Sequence, residues 1–237
     1  RGCENVTISS LTLESGGGDG IYVSTSSKMP GCRNVLIENI TALDHHRQGI
    51  SVISVDKLVI RNSKFNNTSG TPPAAGIDFE PNKPNEWVSD CLVENCEFNN
   101  NAGAGVMLHL NPLNASSKPV SVLFKNCAMS GNASGFMVNA SATTPVKGWI
   151  TLDNCRMTND RGNEVAINGQ QENGLKITLK DCILDSRGSD SKGIVLSTRA
   201  TADVSGIHFE NVRVYPGKQS PVSFLSLSGS GLKEVTG

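Results

Sequence analysis

Residues 74–84 read AAGIDFEPNKP and set Asp78 and Glu80 on either side of Phe79. In a strand, Ile77 and Phe79 face one way and the two carboxylates the other. Carboxylates at such positions have Cβ atoms about 6.5–7 Å apart, so each charge feels its neighbour. Repulsion raises one pKa of such a pair, as a general acid beside a base or nucleophile requires. Three of the four histidines fall close by in the pattern: His45 and His46 precede Arg47 in HHRQGI, and His109 ends GVMLH. His109 or His46 could tune or replace the acid, and Arg47 could clamp a carboxylate on a ligand. A different chemistry uses the same atoms: Asp78 and Glu80 as Ca²⁺ ligands, with Asn82, Asn111 and Asn139 supplying further hard oxygen donors. A third reading makes them solvated strand-face charges with His109 as their partner.

Such positions need a scaffold, and the sequence repeats. A phrase of the form apolar–x–apolar–x–Asn recurs as VTISSL, VLIENI, LVIRNS, CLVENC, VLFKNC, ITLDNC, ITLKDC and IHFENV, spaced 23 to 33 residues apart. Each phrase is followed by a short alternating segment, then by a third that usually opens with Gly: GIYV, GISV, GIDF, GVML, GFMV, EVAI, GIVL and, last, PVSF. Three short strands per repeat, with no helical period between them, predict an all-β parallel β-helix of about eight coils. One coil cannot bury its own apolar face, but stacked coils share a core. The inward columns agree. The first strands give Val6, Val35, Leu58, Cys91, Val122, Ile150, Ile177 and Ile207. The second give Leu13, Ala42, Phe65, Phe98, Met129, Met157, Leu184 and Val214. The third give Ile21, Ile50, Ile77, Val106, Phe136, Val165, Ile194 and Val222.

Two polar columns follow. Asn39, Asn62, Asn95, Asn126, Asn154, Asp181 and Asn211 share the turn after the first strand. Asn tolerates left-handed backbone there, and its amide can bond the next coil's turn, an asparagine ladder. Cys96, Cys127, Cys155 and Cys182 come next in four successive coils, Cys3 shares a column with Cys32, and Cys91 falls in the first-strand core. Small buried thiols fit a narrow interior, and seven is an odd count, so these read as structural thiols. No CxxC or Cys/His cluster suggests a bound metal.

Composition narrows the class. Lys plus Arg number 21 against 22 Asp plus Glu, for a net charge of −1, which gives no reason to expect a nucleic-acid or anionic-membrane partner. No apolar run approaches the roughly 20 residues of a membrane helix. The opening RGCENVTISS shows no signal peptide. Outward positions of the first strands include Leu36, Val59, Leu92 and Leu123 in succession, an apolar row that implies cover by an additional domain, a missing segment or another subunit in an oligomer. With no capping helix at either end, residues 1–237 read as one domain of a longer protein.

The arrangement resembles the right-handed parallel β-helix superfamily, which includes pectate lyases, polygalacturonases and phage tailspikes. The resemblance covers the whole chain as architecture, and the Asn column carries it. It implies a secreted, carbohydrate-active protein, a glycoside hydrolase or polysaccharide lyase. In that superfamily the Asn turn joins the second and third sheets, so the Gly-led strands would form the first sheet, whose outer face holds the sugar cleft in many members. On that face the resemblance implies Asp78, Glu80, His109, His46 and Arg47 as the catalytic set. Asp19, Tyr22, His45, Lys83, Trp87 and Asn139 would contact substrate, with Trp87 stacking on a sugar ring. Rotation about the side chains brings the carboxyls to either retaining or inverting separations. Lyases of this kind often pair Ca²⁺ with a Lys or Arg base, for which Arg47 and Lys83 would serve. The polygalacturonase pattern is broken. GGGDGI keeps an Asp–Gly at Asp19–Gly20, but HHRQGI and AAGI stand where its paired Asp and its His belong. Nor is the pectate lyase Arg signature present. A non-catalytic glycan-binding or tailspike-like structural β-helix is the alternative.

Overall fold

The computed structural model describes residues 1–141, 143–169, 173–198, 203–217, 225–228, 231–233 and 235–236. Among them every regular element is a β-strand, and every strand pair is parallel, joining strands that are not consecutive in sequence: each strand meets its counterpart one coil away. Three long sheets and one two-stranded sheet result. Sheet A has nine strands, and sheets B and C have eight each. The third coil shows the plan, with Val55–Arg61 in sheet A, Lys64–Asn66 in sheet B and Ile77–Phe79 in sheet C.

The registers follow the apolar columns. Val35 pairs with Leu58, and Leu58 with Cys91, in sheet A. Ala42 pairs with Phe65 in sheet B, and Ile50 with Ile77 in sheet C. Alternation along each strand sends these side chains inward, and the stack fills one continuous interior. Phe124 lies edge-on to Phe79 and Phe136, at 6.1 and 5.7 Å between centroids, and Phe65 stacks on Phe98 at 5.6 Å. One column departs from expectation. The strand that pairs with Ile194–Ser197 is Leu225–Ser228, so Leu225 and not Val222 stands opposite Ile194. PVSF and LSLS both alternate, and periodicity alone cannot choose between them. Val222 itself lies outside the described residues.

Left-handed residues make the corners. Asn39, Asn62, Asn95, Asn126, Asn154, Asp181 and Asn211, between sheets A and B, all have φ of 50–54°. Their amides bond coil to coil: Asn95 Nδ2 donates to Asn62 Oδ1 at 3.3 Å, Asn126 to Asn95 at 3.2 Å and Asn154 to Asn126 at 2.8 Å. The corner between sheets B and C holds a second polar column, fully buried. There Asn101 Oδ1 accepts the Thr68 amide, Asn132 Oδ1 accepts the Asn101 amide, and Asp160 Oδ1 accepts the Asn132 amide, at 3.0, 3.0 and 2.7 Å. These bonds satisfy turn amides that the sheets cannot reach.

Candidate functional site

Sheet C positions the carboxylates. Ser51 pairs with Asp78, and Asp78 with Met107. Ile77 and Phe79 are buried in the core, so Asp78 and Glu80 point to the outer face, as their spacing requires. Arg47 closes over that face. Its Nη2 lies 2.8 Å from Glu80 Oε2 and its Nη1 lies 3.3 Å from Asp19 Oδ2. The same Nη1 reaches Ser51 Oγ at 3.5 Å, and Ser51 Oγ donates to Asp19 Oδ2 at 2.9 Å. Glu80, Asp19 and Ser51 thus converge on one guanidinium across three coils.

Asp78 lies beneath this bridge with no exposed surface. Gln48, also fully buried, fixes it from the side: Gln48 Nε2 donates to Asp78 Oδ2 at 3.0 Å while its Oε1 accepts the Ala75 amide at 2.8 Å. The second oxygen, Asp78 Oδ1, has no hydrogen-bond partner. Burial first, and the neighbouring Glu80 charge second, push Asp78 up to about 8, against the pull of Arg47 and Gln48. At neutral pH Asp78 therefore keeps its proton. Beside it Glu80 is ion-paired.

The remaining sequence-selected residues divide. Asp19 belongs to the cluster. His109 follows Leu108, which pairs with Phe79, so it stands one coil beyond Glu80 and half-exposed. Among the described contacts it makes no bond to either acid. Asn139 pairs with His109 in the next coil and accepts a bond from Asn168 Nδ2 at 2.9 Å. Tyr22 is exposed on the same outer column, its ring 5.0 Å from the Arg1 guanidinium carbon.

Four expectations need correction. Arg47 is not a free clamp for a substrate carboxylate, because Asp19 and Glu80 already occupy its guanidinium. His46 is turned away from the acids: its Nε2 meets Thr71 Oγ1 at 3.1 Å in an exposed turn. His45 is buried, its Nδ1 accepts the Gly16 amide at 3.1 Å, and burial lowers its pKa. It is a neutral corner residue with Nε2 unpartnered. Trp87 stands between the cations of Arg33 and Lys118, 5.0 and 5.6 Å from its ring centre, at the entry to sheet A. Those cation–π contacts hold the ring away from the sheet C face. Lys83 lines a separate shallow pocket of about 300 Å³ with Lys28 and Glu86.

A Ca²⁺ ion between Asp19 and Glu80 would compete with the Arg47 guanidinium. Among the described residues no three His, Cys, Asp or Glu side chains gather as metal ligands. The cationic position between Asp19 and Glu80 is filled by Arg47, and Asp78 carries a proton that a metal would have to displace.

Sequence reasoning missed Gln48 here and one pair elsewhere. Gln48 sits in HHRQGI, where its side chain carries no periodic signal. The buried pair is Asp160 and Glu164, both without exposed surface. Glu164 Oε1 accepts from Ser186 Oγ at 2.9 Å. Burial first, then Asp160, raises Glu164 to about 8. Asp160 Oδ2 and Glu164 Oε2 have no hydrogen-bond partner. The spacing Thr68–Asn101–Asn132–Asp160 was the available signal.

No protein-family model matches the chain, and no curated protein does. Among solved structures it is similar to the tailspike protein gp49 from Acinetobacter baumannii bacteriophage Fri1, a capsular polysaccharide depolymerase. The identity is 16%, with a TM-score of 0.55 over 94% of this chain and 48% of that one. It is also similar to the Agl-KA catalytic domain, at 12% identity and a TM-score of 0.40 over 98% of this chain and 47% of that one. The chain spans about half the length of each. The register and the tailspike likeness show one fold, a single-stranded parallel β-helix.

Proposed function

We propose that this β-helix is a secreted, carbohydrate-active protein that cleaves a polysaccharide on the outer face of sheet C. The observation that carries the proposal is the pairing of a protonated Asp78 with an ion-paired Glu80 on one strand face. That is the acid-plus-base or acid-plus-nucleophile combination of glycoside cleavage. Asp78 Oδ1, free of partners, is the atom that delivers the proton to the leaving oxygen. Glu80 acts as base or nucleophile, and Asp19 with Arg47 sets its position. For substrate to reach Asp78, the Arg47 bridge opens. The half-exposed His109 and Asn139, and the exposed Tyr22, extend the same face and offer sugar-binding groups along it. The tailspike likeness supports a glycan ligand.

A second reading rests on one observation: Asp78 has no exposed surface and Arg47 is fully engaged. On that reading the cluster is a polar staple between coils, and the face binds glycan without cleaving it. Incubation with a panel of neutral and acidic polysaccharides, with and without chelator, separates the two. New reducing ends support cleavage, and unsaturated products mark a lyase. Retention of a polysaccharide without any product supports the binding reading. Of the half-buried row Leu36, Val59, Leu92 and Leu123, the first three line a groove of about 640 Å³ on sheet A, which supports cover by a further domain or subunit.

A further inference from the structure

We propose that Cys3 and Cys32 form an oxidisable pair whose disulfide staples the first coil to the second. Glu4 pairs with Arg33 in sheet A, so Cys3, the residue before the strand Glu4–Ser9, stands opposite Cys32, the first residue of the strand Cys32–Glu38. The Arg33 amide donates to the Cys3 carbonyl at 2.8 Å. Strand neighbours lie about 4.8 Å apart, within the Cα separation that a disulfide spans. The two sulfurs are 3.4 Å apart. Rotation of the side chains must close only about 1.4 Å to reach bonding distance, with no backbone movement.

Access singles out Cys3, against which the buried Cys32 rests. Cys96, Cys127, Cys155 and Cys182 are also stacked, but all four are buried. Their thiols bond backbone carbonyls inside the solenoid, as Cys127 does to Val93 at 3.4 Å. Exchange needs a thiolate that an oxidant can reach. Only Cys3 among the seven is partly exposed. A disulfide oxidant such as oxidised glutathione reacts in two steps. The Cys3 thiolate attacks one glutathione sulfur and releases one glutathione thiolate. The Cys32 thiolate then attacks the Cys3 sulfur of the mixed disulfide and releases the second. Two protein thiols are oxidised, one glutathione disulfide is reduced to two thiols, and two protons leave the protein. The crosslink ties the coil that carries Asp19 to the coil that carries Arg47 and Ser51, whose contacts assemble the sheet C cluster.

The test is incubation of the folded protein with oxidised glutathione at mildly alkaline pH, rapid alkylation in denaturant, thiol counting and peptide mapping. The seven free thiols are expected to fall to five, with one crosslinked peptide pair joining Cys3 to Cys32. Cys3→Ser and Cys32→Ser proteins, shown to be folded by circular dichroism, should yield no crosslinked pair. Seven surviving thiols, arrest at glutathionylated Cys3, or a crosslink among the other five would each overturn the proposal.

Discussion

Gln48 holds Asp78 by one oxygen: the Gln48 amide nitrogen donates to Asp78 Oδ2 at 3.0 Å and leaves Oδ1 unpartnered. Gln48 cannot turn freely, because its own oxygen accepts the Ala75 amide at 2.8 Å. The acid is thus held in one rotamer with its proton available on a single atom. Glu80, two residues on, is held by the Arg47 guanidinium at 2.8 Å.

This arrangement makes stability depend on pH with a definite sign. Asp78 rises from 3.8 to about 8 on folding, so between those values the folded state holds a proton the unfolded chain has lost. Stability then falls as pH climbs from about 4 to about 8. The full penalty is on the order of 5 kcal/mol. Glu164, raised to about 8 by burial, contributes with the same sign. Denaturant midpoints measured across that range should decline toward alkaline pH. Asp78→Asn keeps an acceptor for Gln48 and should flatten the decline. An unchanged slope in that variant would remove Asp78 as its source.

Arg47 is expected to matter more than an exposed ion pair would. Arg47→Ala leaves Asp19 and Glu80 facing each other across the space above Asp78 and should cost about 1–3 kcal/mol. Arg47→Lys should recover only part of this, since one ammonium cannot span both carboxylates as a fork does. A double-mutant cycle with Glu80→Gln measures the coupling directly.

The corner residues allow a separation of backbone from hydrogen-bond effects. Asn126 has φ of 54°, donates to Asn95 and accepts from Asn154. Asn126→Ala loses both bonds and strains the left-handed backbone, for about 2 kcal/mol in all. Asn126→Gly loses the bonds without the strain and should cost about half as much. Equal losses in urea titrations would show that strain plays no part.

In the interior, Phe124 has no exposed surface and meets Phe79 and Phe136 edge to face. Phe124→Ala should cost about 3–5 kcal/mol. Phe124→Leu, which refills most of the volume, should cost less than half that.

The scaffold was legible because a two-residue period and a coil-length repeat both leave marks in the chain. Val35, Leu58 and Cys91, for example, share a column in sequence and a register in sheet A. The outward aim of Asp78 and Glu80 followed from the same period. What the side chains do there did not follow. Arg47 reaches 28 residues back to Asp19 and 33 forward to Glu80, and no local pattern encodes that choice. Trp87 and His46 lie in turns, where period says nothing, and each found partners away from the acids: Arg33 and Lys118 for Trp87, Thr71 for His46. The buried Asp160–Glu164 pair escaped notice because one member belongs to a column of amide-capping residues and the other to the strand that follows.

The central claim is that Asp78 gives and Glu80 takes during cleavage of a glycan. It is tested most directly by reducing-end release from the polysaccharide that wild type degrades, compared with Asp78→Asn and Glu80→Gln proteins that unfold at wild-type denaturant concentrations or above. Each substitution is expected to lower turnover by about 10²-fold or more. Wild-type turnover in either folded variant would contradict the account.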